Sequence, residues 1–97
     1  MRYLFYIVGW FQKCSPKSKI VTLINYGRLK KKQGNFDKAI ELQKKAIKQG
    51  EEIEDDYEIY AAKINLALTY SAKNDLIAAR DLFKECIKVY EEKIGLE

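Results

Sequence analysis

No histidine occurs anywhere in the 97 residues, and there are only two cysteines, one proline and one tryptophan. The missing imidazole removes the usual general base and nearly every zinc ligand set. Cys14 and Cys86 lie far apart and form no CxxC pair, so thiol chemistry is left without its customary partner. Cys86 stands at a small-residue packing position and is expected to be a buried apolar residue, and both thiols suit a reducing, cytoplasmic setting. No catalytic role, metal or other cofactor is expected.

The chain also has little excess of one charge, 18 basic residues against 14 acidic ones for a net charge of +4, but the signs are segregated along it. Lys30, Lys31, Lys32, Lys38, Lys44, Lys45 and Lys48 precede an acidic stretch of Glu51, Glu52, Glu54, Asp55, Asp56 and Glu58. A nucleic-acid-binding chain is expected to show a more continuous basic stripe, so nucleic acid is not an expected partner. The acidic stretch lacks the alternating ligand spacing and mid-loop glycine of a calcium loop and reads as a solvated connection.

The one uninterrupted apolar run, Tyr3 to Phe11 behind Met1-Arg2, is too short to span a bilayer, which takes about 20 helical residues. No small-x-small cleavage site follows it, and Gln12-Lys13-Cys14 does not resemble a lipoprotein box. Two readings stay open for residues 1–14: a packing segment over the end of the fold, or a signal or membrane-surface anchor that would tether an adaptor. Pro16, between Ser15 and Ser18, is expected to break the chain after this segment. The length allows one domain with a modest core, hiding roughly 65% of the unfolded surface.

What the chain does have is an internal repeat. Residues 20–54 are followed at a constant offset of 40 by residues 60–94 with the same pattern. Ile24 and Ile64, Asn25 and Asn65, Ala39 and Ala79, Leu42 and Leu82, and Ile47 and Ile87 are identical pairs. Apolar residues at 20, 23, 24 and 27 predict a first helix (A) that ends in Lys30–Gln33. Gly34-Asn35 is a turn signal with Asn35 as N-cap and Asp37 in the positive first turn of a second, long helix (B), where Glu41 and Lys45 form a favourable i,i+4 pair. In the second copy an A helix is expected from near Asp56 or Tyr57, with Tyr60, Ile64, Ala67 and Leu68 along one stripe. After the Asn74-Asp75 turn, Leu76, Ala79, Leu82, Phe83, Cys86, Ile87, Tyr90 and Ile94 mark a B helix that Gly95 is placed to end. Phe36, Tyr70, Phe83 and Tyr90 are expected as helix-packing residues. Gly27, Ala67, Ala39 and Ala79 would let paired helices approach closely.

These residues resemble the tetratricopeptide repeat, through Gly27, Gly34-Asn35-Phe36-Asp37, Ala39 and Ala46 in the first copy and Leu66-Ala67, Tyr70, Ala79 and Phe83 in the second. The departures are Lys30 and Gln43 where aromatics are usual, Asn74 for the turn glycine and Cys86 for the second alanine. The 40-residue spacing and Asn65-Leu66-Ala67-Leu68-Thr69-Tyr70 resemble the long-helix form seen in kinesin light chains. The resemblance implies an all-α fold: two helix-turn-helix hairpins, residues 20–56 and 57–97, stacked as a short right-handed solenoid behind an apolar segment, residues 1–19.

It also implies a protein-interaction module that holds an extended peptide in the concave groove of its A helices. Asn25 and Asn65 occupy the same repeat position there, and asparagine in a helix interior costs roughly 0.6 kcal/mol against alanine. Each amide can pair with the backbone of an extended ligand. Arg28 and Lys32 share the face of Asn25 and would favour an acidic partner, and Leu68 completes the candidate set. Ile24 and Arg28 replace the first lysine and asparagine of the carboxylate clamp of chaperone-binding relatives, so chaperone tails are not the expected ligand. The alternative is structural: two repeats rarely bury a continuous core, so the chain would be a piece of a longer repeat array or a homodimer through its exposed ends, covering Leu82, Ile87, Tyr90 and Ile94.

Overall fold

The computed structural model describes residues 15–94. Four helices follow one another: α1 (Pro16–Lys32), α2 (Phe36–Glu52), α3 (Asp56–Ala72) and α4 (Leu76–Ile94). Each connector holds only the three residues between them, 33–35, 53–55 and 73–75, which forces successive helices to run antiparallel. α1 packs on α2, α2 on α3 and α3 on α4, while α1 also touches α3. The result is two hairpins stacked in series, and the A helices α1 and α3 are neighbours.

The connectors are three copies of one device. Gly34, Glu54 and Asn74 adopt left-handed backbone (φ of 80°, 54° and 72°), and the next residue's amide turns back to a carbonyl in the last turn: Asn35 to Lys30, Asp55 to Gly50, Asp75 to Tyr70. That next residue then caps the following helix. The Lys38, Glu58 and Ala78 amides donate to the side-chain oxygens of Asn35, Asp55 and Asp75 at 3.2–3.3 Å. Ser15 does the same for α1, accepting from the Ser18 amide at 3.2 Å. The caps Ser15, Asn35, Asp55 and Asp75 therefore recur every 20 residues, half the sequence repeat. Each such cap stabilises by about 1 kcal/mol, and Glu54, without glycine's freedom, gives back a comparable amount.

Two sequence expectations change here. The first helix starts at Pro16, ahead of the expected Ile20, since a proline in the first turn gives up an amide that has no helical partner anyway. Glu41 pairs with Lys38 at 3.6 Å instead of Lys45. Residues 1–14 and 95–97, including the apolar run, its membrane reading and the Gly95 stop, lie outside the described residues. Among the described residues no helix is long and apolar enough to cross a membrane.

The core runs along the stacking surface. Ile20, Ile24, Ala46 and Ala62 form its centre, with Leu23, Ile47 and Ala61 against it. Burying a side chain such as Ile20 stabilises by roughly 1.5–3 kcal/mol. Small residues set the spacing. A Cβ on Gly27 would come within 3.0 Å of Gln43 Cγ, and one on Gly50 within 2.9 Å of Ile59 Cγ1 and 3.4 Å of the Ile59 backbone nitrogen. Ala39, Ala46, Ala62, Ala67 and Ala79 are all buried at helix contacts.

Candidate functional site

On α1, Asn25, Arg28 and Lys32 are exposed and, at three- and seven-residue spacing, share one face. This helix carries six basic residues and no acidic one, with Lys30, Lys31 and Lys32 in its last turn where the helix dipole favours cations. Lys30 Nζ sits 5.3 Å from the Tyr26 ring centroid. On neighbouring α3, Leu68 is 42% exposed. Asn65 differs from its repeat partner: it is half-buried, and its Nδ2 donates to the Ala61 carbonyl of its own helix at 2.8 Å. The two matched asparagines thus stand on adjacent helices in different states, Asn25 open to solvent and Asn65 tied back.

The acidic stretch is divided among structural duties. Asp55 caps α3 and lies 4.0 Å from Lys17. Asp56 forms an ion pair with Lys93 across α3 and α4, and Glu58 is buried. No cluster of three metal-ligating side chains occurs among the described residues.

A second feature was only partly visible in the sequence. A groove of about 580 Å³ opens between α3 and α4, lined by Tyr57, Tyr60, Ile64, Cys86, Val89 and Tyr90. Its walls are tied by the Asp56–Lys93 pair and by Lys63 Nζ, which donates to Glu85 Oε1 at 2.5 Å. Burial alone would lower the Lys63 pKa, but its hydrogen bond to Glu85 and that carboxylate's charge outweigh this, and the group titrates above the ordinary lysine range. The hydrogen bond to Asp56 likewise raises Lys93. Burial pushes the Cys86 thiol up, Glu85 adds to the shift and Lys63 opposes it.

Tyr90, expected as a packing residue, is 51% exposed, and Ile64 is 41% exposed although its repeat partner Ile24 is 7% exposed. The reason is positional. The groove is the second copy of the surface on which the first hairpin seats α3.

A family model described as tetratricopeptide repeat matches residues 18–92. The chain belongs to the tetratricopeptide repeat family. No curated protein and no solved structure matches it. Tetratricopeptide repeats generally serve as protein–protein interaction modules.

Proposed function

We propose that this tetratricopeptide repeat protein is an adaptor that holds an extended, acidic segment of another protein along the face of α1 and α3. Asn25 and Asn65 would pair with the ligand backbone, Arg28 and Lys32 with its carboxylates, and Leu68 with an apolar side chain between them. The observation that carries the reading is the exposure of Asn25, Arg28 and Lys32 on one face of a helix with no acidic residue, beside an exposed Leu68 on the adjacent helix. The 40-residue unit supports placing the repeats with the long-helix form of kinesin light chains. A cytoplasmic setting fits the free thiol of Cys86.

The test is fluorescence anisotropy with a panel of labelled extended peptides that are acidic, neutral or basic. Acidic peptides should bind, and binding should weaken with salt as expected for exposed charge pairs. Equal response to all three classes, or none, rejects the reading.

A further inference from the structure

The repeat offset allows each contact of the filled stacking surface to be compared with its copy in the open groove. In the filled surface α3 seats on α1 and α2, and three of its contacts with α2 can be followed from one copy to the next. Ala62 lies with Ala46 in the central cluster. Ile59 fills the space over Gly50, where no Cβ would fit. Thr69 Oγ1 donates to Gln43 Oε1 at 2.8 Å. Moved forward by 40 residues, the receiving side Ala46, Gly50 and Gln43 becomes Cys86, Tyr90 and Phe83 on α4. Moved back by 40, the inserting side Ala62, Ile59 and Thr69 becomes Thr22, Lys19 and Leu29 on α1.

The two sides change together. Small against small is kept, as Ala46 with Ala62 becomes Cys86 with Thr22. The buried polar pair Gln43 with Thr69 becomes the apolar pair Phe83 with Leu29. The tight Gly50 with Ile59 becomes Tyr90 with Lys19, a large ring opposite a long side chain. Leu66, buried and seven residues after Ile59 on α3, corresponds to Tyr26. Tyr26 and Leu29 are 44% and 48% exposed, so the inserting face of α1 carries two half-exposed large apolar side chains. The Thr22 hydroxyl already donates to the Ser18 carbonyl at 2.8 Å, so seating it against Cys86 leaves no donor stranded.

Charge points the same way. Residues 15–52 hold ten basic and four acidic residues, whereas residues 56–94 hold six basic and seven acidic. Two first hairpins repel each other, while a first hairpin meeting a second does not.

We propose that the α3–α4 groove receives α1 of a second copy of this chain, so that copies stack head to tail and continue the solenoid. The contact is heterologous: each bound copy offers a new groove, and growth does not close at a dimer. This proposal is independent of the concave-face reading, since its contacts use none of Asn25, Arg28, Lys32, Asn65 and Leu68.

The test is light scattering on the size-separated full chain from micromolar to millimolar concentration, with two variants at half-exposed positions, L29E on the inserting face and Y90E in the groove. Circular dichroism checks that both keep their helices. The average mass of the unaltered chain should climb past the dimer, and each variant alone should stay monomeric. An equimolar mixture should stop at a dimer, because only the groove of the L29E chain and the α1 of the Y90E chain remain competent. A chain that stays monomeric throughout overturns the proposal. So does a dimer that Y90E abolishes and L29E leaves intact, which would be groove against groove, and so does a mixture that remains monomeric.

Discussion

Gln43 and Thr69 are both fully buried, and the Thr69 hydroxyl lies 2.8 Å from Gln43 Oε1 and 3.0 Å from the Asn65 carbonyl oxygen, while Gln43 Nε2 has no partner. A single hydroxyl proton is shared between Gln43 Oε1 across the seam between the hairpins and the Asn65 carbonyl of its own helix, and the Gln43 amide nitrogen goes without. A buried polar pair of this kind fixes register at a cost in stability.

The cost is measurable. Q43L removes the stranded amide while Thr69 keeps its bond to the Asn65 carbonyl, so urea unfolding should show stability unchanged or raised by about 1 kcal/mol. T69V leaves the whole Gln43 amide unpaired and should lose about 1–3 kcal/mol. The double variant should lose far less than the sum of the two. Additive losses would mean that the pair does not interact in solution.

Gly50 and Tyr90 make the complementary case. G50A gains about 1 kcal/mol of helix propensity but drives a methyl to within 2.9 Å of Ile59, and overpacking of that kind costs about 1–3 kcal/mol. Thermal unfolding should therefore show a net loss. Y90A, at the matching position of the open groove, should shift the midpoint little in dilute protein. Stabilisation by G50A would show that the two hairpins are not held as closely as the geometry requires.

Much of this was legible beforehand, and the limits have physical causes. Gly34-Asn35 and Asn74-Asp75 were readable as turns because left-handed backbone favours glycine and asparagine, whereas Glu54 in the same conformation gives no such signal. Asp55 was hidden in an acidic run whose members look alike in sequence but cap, pair or bury separately. Pro16 reads equally as a stop and as a helix start, and only the cap on Ser15 decides. The 40-residue pattern marked Ile24 and Ile64 as equals, yet burial depends on which copy has a helix in front of it. Of the candidate site residues, Asn65 was the least readable, because a helical asparagine can satisfy its own i−4 carbonyl as readily as a ligand.

The concave face supplies a different test. N25A and N65A should leave helicity and melting nearly unchanged or slightly raised, since alanine is the better helix former. On the proposed reading N25A weakens an acidic extended peptide, and N65A does so only if the ligand displaces the 2.8 Å bond to Ala61. R28E with K32E should weaken it more, and that loss should shrink in high salt. Affinity that survives all four changes would remove this face from the binding reaction.

Cys86 offers a probe of the groove itself. Its thiol lines the groove yet is buried enough that burial, reinforced by Glu85, holds its pKa above the ordinary range. The thiolate is the reactive form, so in a C14S chain a disulfide reagent should modify Cys86 more slowly than in the urea-unfolded chain at the same pH. The rate should keep rising above the pH at which an exposed thiol has levelled off. Because the folded state holds this proton more tightly, the matching stability is present below the unfolded-state pKa and is lost as pH rises through the raised value. If a second copy seats its α1 on this groove, the labelling rate must also fall as protein concentration rises. The L29E chain should show no such fall. A rate independent of concentration, in a sample whose mass is growing, would locate the contact between copies somewhere other than Cys86.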